Sequence, residues 1–68
     1  RNVLPKQIKQ NYRFTDKKTG NEFVVIRKVM GDDEIERVLL YDLEAGKQLK
    51  ELFSYDELFA RFEGGFQK

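Results

Sequence analysis

Nine consecutive residues, Glu22 to Met30, constrain the fold of this chain more than any other stretch. Phe23, Val24, Val25, Ile26 and Val29 are aromatic or β-branched, the types that suit a pleated strand. With a period of two, Phe23, Val25, Arg27 and Val29 fall on one face, and Val24, Ile26, Lys28 and Met30 on the other. Both faces are apolar at the start. That pattern places the strand in the middle of a sheet or in a strongly curved one, since a solvated face alternates to polar residues.

The flanking segments read as further strands. Tyr12 and Phe14 alternate with Asn11, Arg13 and Thr15, which predicts a strand over 11–15. The polar run from Asp16 to Asn21 is a connector, with Gly20 and Asn21 able to take positive φ. Gly31 to Glu34 is a turn. A third strand is expected over about 35–43, with Ile35, Arg37, Leu39, Tyr41 and Leu43 on one face and Val38 and Leu40 on the other. Glu44-Ala45-Gly46 is a short hairpin loop. Lys47 to Phe53 then gives a fourth strand, with Leu49 and Phe53 on one side and Leu52 on the other.

The segment after Phe53 has helix signals that agree with one another. Ser54 is a good N-cap, and Glu57 three residues later completes a capping box. Phe53 and Leu58 occupy the two positions of a hydrophobic staple. Tyr55, Leu58, Phe59 and Phe62 form one apolar stripe. Asp56 and Glu57 stand in the first turn and Arg61 near the end, the favourable sense for the helix dipole. Gly64 and Gly65 are expected to stop the helix, which gives a range of about 55–63.

A chain of 68 residues is one domain with a thin stability margin. It has no Cys and no His, so neither a disulfide nor the usual zinc site can staple it. Residues 1–10 read as a lead-in, and 11–68 as a single small β domain. The expected fold class is mainly β (β+α): a small antiparallel SH3-like barrel, or a bent sheet, of about four strands with one C-terminal helix. Two apolar faces in the middle strands favour closure into a barrel. The chain starts at Arg1, which points to an excised domain, a trimmed chain or a processed product. No apolar run approaches the roughly 18 residues of a membrane span, and no signal-peptide pattern is visible. The expectation is therefore a cytoplasmic protein without membrane contact.

The order of elements from Tyr12 through Phe62 resembles the small SH3-like barrels, including archaeal chromatin-protein barrels that end in a helix. Thr19-Gly20, the run Phe23 to Val29, Leu40-Tyr41 and Leu58-Phe59 also look like short proteins of phages and mobile elements. The resemblance implies a binding module, since SH3-like barrels take proline-rich peptides, modified tails, RNA or DNA. The chain departs from the chromatin barrels in its net charge of +1, and from peptide-binding SH3 domains in having no Trp.

Catalysis finds little to work with. Ser54 is the only Ser and is used as a cap, and His, the commonest general base, is missing. The acidic group Asp32, Asp33, Glu34 and Glu36 lacks the internal Gly and ligand spacing of a calcium loop. Neither phosphate-cradling glycine motif occurs. The chain reads as a non-enzyme without metal or cofactor.

Charge is unevenly spread. Residues 1–28 hold eight basic side chains against two acidic ones, and residues 29–68 hold five against ten. Arg13 lies between two aromatic residues, and Lys17, Lys18, Arg27 and Lys28 are expected to share a face with it. Tyr12, Arg13, Lys17, Lys18, Arg27 and Lys28 are thus the candidate nucleic-acid-binding residues on a basic first hairpin. The competing reading of Tyr12 and Phe14 is as core residues of an alternating strand. The other open function is protein interaction or assembly within a larger bacterial or phage complex. Edge strands, an aromatic patch of Tyr41, Tyr55 and Phe66, or self-association through the oppositely charged halves would serve it.

Overall fold

The computed structural model describes residues 4–64. A 3-10 turn, Pro5–Gln7, leads into five strands and one helix. The strands are β1 (Arg13–Asp16), β2 (Glu22–Met30), β3 (Glu36–Asp42), β4 (Lys47–Ser54) and β5 (Phe62–Gly64). The helix α1 (Tyr55–Arg61) lies between β4 and β5. The fold is a mainly β domain with one C-terminal helix.

All pairings are antiparallel, in the order β4-β3-β2-β1-β5. The sheet is open, with β4 and β5 at its two edges, so the bent sheet is found and the closed barrel is not. The reason lies in the route of the chain. β4 runs straight into α1, which crosses the sheet and delivers β5 to the far edge beside β1. Closure would need β4 to meet β5, yet β5 has three residues and β4 eight.

The core lies on one face, the inner face. Phe14, Phe23, Val25, Val38, Leu40 and Phe53 come from the strands, and Ile8, Tyr12, Leu58 and Phe62 complete the cluster. Leu49, Tyr55 and Phe59 are half-buried against it. Burial of each large side chain is worth about 1.5–3 kcal/mol, which is how a chain without staples stays folded. In the segment before β1, Ile8 has no exposed surface.

The helix begins as its signals predict. The Ser54 hydroxyl accepts from the Glu57 N–H, and the Glu57 carboxylate accepts from the Ser54 N–H at 3.0 Å. It ends earlier than expected, at Arg61. Phe62 is extended (φ −126°, ψ 155°) and belongs to β5, where Phe14 pairs with Gly64 and Asp16 with Phe62. Gly64 is therefore a strand residue rather than a helix stop, and Gly65 lies outside the described residues.

A second correction concerns β2. Its register against β3 shifts between Val25 and Arg27, an extra residue that reverses the alternation beyond it. Val25 pairs with Leu40 on the inner face, but Arg27 pairs with Leu39 on the outer one. Arg27 and Val29 thus leave the side occupied by Phe23 and Val25.

Asp16 organises the β1–β2 turn. Its carboxylate accepts from the backbone N–H of Lys18 at 2.8 Å and of Thr19 at 3.1 Å. Those two bonds, helped by nearby Arg61, hold its carboxyl below the usual range. A carboxyl depressed in the folded state stabilises above its unfolded pKa of about 3.9, and that contribution is lost as pH falls through the folded value. Melting temperature should therefore fall more steeply between pH 5 and pH 2 in the wild type than in Asp16→Asn. The Asn variant keeps an acceptor but does not titrate. Parallel curves would show that the turn contributes nothing to acid sensitivity.

Candidate functional site

The six candidate residues do not share a face; they end up in four places. Tyr12 is 5% exposed, in contact with the core, its ring 5.2 Å from that of Phe14. Burial pushes its hydroxyl pKa up. Its ring face is not open to a base. The core reading of Tyr12 and Phe14 is the one that fits their positions.

Arg13 and Arg27 lie on the outer face. Arg13 is tied to Glu22 by an ion pair of 2.9 Å between side chains that are both about half exposed. Arg27 is exposed and has no hydrogen-bond or ion-pair partner among the described residues.

Lys17 and Lys18 lie at the β1–β2 turn, beside the end of α1. They line an open cleft of about 550 Å³ with Asp16, Thr19, Ala60 and Arg61. Lys17 Nζ donates to the Phe59 carbonyl at 2.8 Å, and the Lys17 N–H donates to the Arg61 carbonyl at 3.0 Å. These are the carbonyls at the negative end of the helix, so the lysine offsets a local negative potential. Asp16 adds a carboxylate, and Arg61 rests over the Phe53 and Phe62 rings at 5.2 Å. With three basic side chains against one carboxylate, the cleft is net positive.

Lys28 is on the opposite side of the sheet from Arg27. It pairs with Val38 on the inner face, where Nζ donates to the Pro5 carbonyl at 3.2 Å and lies 6.0 Å from the centre of the Tyr55 ring. The structure therefore brings Arg13 and Arg27 onto one surface and separates Lys17, Lys18 and Lys28 from it.

The proposed aromatic patch divides in the same way. Tyr41 pairs with Val24 on the outer face. Tyr55 packs on the inner side, its hydroxyl donating to Glu36 at 2.7 Å, and burial followed by that bond raises its pKa. Phe66 lies outside the described residues. The acidic turn is occupied locally: Asp33 takes a two-pronged contact from Arg37, at 2.9 and 3.3 Å, and a hydrogen bond from the Ile35 N–H. The Arg37 contact foremost holds the Asp33 carboxyl low.

What sequence proximity did not isolate is the outer face as a unit. The helix and the segment before β1 pack on the opposite, inner face, through Leu58 and Ile8. Strand register places Val24, Val29, Leu39, Tyr41 and Leu52 on it, and Leu43 joins at its end through an N–H bond to the Glu22 carbonyl. Among the described residues, three of the five exposed large apolar side chains, Ile35, Leu43 and Leu52, belong to this face or its rim. Lone exposed apolar residues are ordinary, but a contiguous group on one sheet face marks an interaction surface. The signal was present in the alternation of residues 35–43, which assigns apolar residues to both sides of β3. One short helix can cover only one of those sides.

No protein-family model matches the chain, and no curated protein or solved structure matches it at a significant level.

Proposed function

We propose that this chain is a non-enzymatic protein-interaction module that docks its partner on the outer face of the sheet. The observation that supports the reading is the uncovered apolar stripe along β3 and its neighbours, centred on Leu39 and Tyr41. Leu52 is exposed on this face, Ile35 and Leu43 are exposed at its rim, and Val24, Val29 and Tyr41 are half-buried, so a partner meets apolar side chains there. The stripe is mostly aliphatic. Aliphatic side chains suit a protein surface, whereas single-stranded nucleic acid calls for several aromatic platforms and a track of free cations. Among the described residues this face has one aromatic ring, Tyr41, and one unpaired arginine, Arg27.

Site-specific photocrosslinking tests the reading. A benzoylphenylalanine at Tyr41 samples the outer face, and one at Ala45 samples the exposed β3–β4 turn. Irradiation in cells should give a discrete protein adduct from position 41 and none from 45. Equal adducts from both positions would count against the reading. Labelled single- and double-stranded oligonucleotides at two salt concentrations test the other function. Saturable binding that falls steeply with salt would move the function to phosphate recognition through the basic residues.

A further inference from the structure

The cleft beside α1 gathers positive charge in one place. Lys17, Lys18 and Arg61 line it with Asp16, Thr19 and Ala60, an excess of two positive charges. Its one carboxylate is the less accessible partner: the Asp16 side chain is 13% exposed and that of Arg61 51%. Asp16 already accepts from two backbone N–H groups, and its approach to Arg61, at 3.9 Å, is beyond hydrogen-bond reach. Glu51 is equally far from Arg61 and lines a neighbouring cleft instead. The carbonyls of Phe59 and Arg61 at the helix end are occupied by Lys17, whose ammonium keeps two further N–H groups. The exposed Lys18 side chain has no hydrogen-bond or ion-pair partner among the described residues. Arg61 is held over the Phe53 and Phe62 rings. An anion entering the cleft therefore meets three cations with donors to spare.

We infer that this cleft binds the phosphate group of a small phosphate monoester. Such a group carries a charge of about −1.5 to −2 at neutral pH, which complements the excess in the cleft. A planar arginine fork and lysine point charges are the side chains that hold phosphate best. The volume of about 550 Å³ leaves room for an organic body and lies within the range of about 300–1,000 Å³ usual for small-molecule sites. Ala60 and the aliphatic stems of the lysines give that body an apolar wall. A nucleic-acid strand needs cations along a track, and Arg13, Arg27 and Lys28 stand on other surfaces. The inference is independent of the docking reading, because the cleft residues are separate from the outer-face stripe.

Three probes and two variants test this. Phenyl phosphate titrated into the isotope-labelled chain should move the backbone amide signals of Lys17, Lys18, Thr19 and Arg61 in NMR spectra, with a Kd of about 1 mM or below. Inorganic phosphate lacks the organic body, and benzenesulfonate lacks the second charge. Each should bind at least fivefold more weakly. Lys18→Glu alters an exposed side chain, so it should fold as the wild type does by circular dichroism and lose most of the binding. Lys47→Glu makes the same change in net charge on the edge strand β4, away from the cleft, and should bind phenyl phosphate as the wild type does. Absence of any shift at about 10 mM phenyl phosphate would overturn the inference. So would shifts centred on Arg13 and Arg27, either comparison probe binding as tightly, or equal losses in the two variants.

Discussion

Phe62→Ala should leave a large part of the chain unfolded at 25 °C. Phe62 has no exposed surface, and its ring meets Phe23 edge-on at 5.0 Å and Phe53 edge-on at 5.6 Å. Removing a buried Phe ring costs about 3–5 kcal/mol. A domain of this length has about 3–10 kcal/mol in total. The loss also frees β5, whose hold on β1 is three residue pairs. Urea denaturation followed by circular dichroism should show the midpoint reduced by half or more. Phe59→Ala supplies the contrast. Phe59 belongs to the same apolar stripe in the sequence but is only half-buried, so its removal should cost clearly less. Equal losses at the two positions would contradict the assignment of Phe62 to the core and of Phe59 to its margin.

Ile8→Ala should have the second largest effect, about 2–5 kcal/mol, because the side chain is fully enclosed. For a domain of this size that lowers the melting temperature by at least about 10 °C. The segment is fastened as well as buried. The Asn11 N–H donates to the Val25 carbonyl at 2.8 Å, the Tyr12 N–H to the Lys9 carbonyl at 3.0 Å, and Lys28 reaches Pro5. Asn11 takes φ of 73°, a conformation Asn tolerates better than most residues, and this lets the chain turn back so that Ile8 lies in the core. A chain beginning at residue 11 should be at least as unstable as Ile8→Ala. If that shorter chain melted with the wild type, the segment before residue 11 would contribute nothing to stability.

Local chemistry made parts of this fold readable from sequence, and long-range contacts hid the rest. The run Glu22–Met30 is a strand with those same bounds, since β-branched residues and the flanking turns act within a few residues of one another. The capping box at Ser54 and Glu57 formed for the same reason. Phe62 lies in the core as the apolar stripe predicts, but in β5 and not in the helix, because spacing i, i+7 does not reveal that the backbone has already turned extended. β5 pairs with β1 across most of the chain, and three residues carry no periodicity of their own. The bulge after Val25 left no mark in composition, yet it decided which face received Arg27. For the site, the expected common face of Arg13, Lys17, Lys18, Arg27 and Lys28 does not form, because the turn carries Lys17 and Lys18 beside the helix and Lys28 points to the inner side. Arg27 and Lys28 are neighbours in sequence and lie on opposite sides of the molecule.

The β1–β5 ladder has a mechanical consequence. Its strands are antiparallel, so Phe14 and Gly64 form the rung nearest the C-terminal exit and Asp16 and Phe62 the innermost one. Tension on the chain beyond Gly64 loads that outer rung first and passes inward only when it gives way. Hydrogen bonds perpendicular to an antiparallel pair then yield singly instead of sharing the force in shear. The last inward step pulls Phe62 from between Phe23 and Phe53. The clasp should therefore open under small forces, and the resistance of the domain should be felt when that aromatic contact breaks.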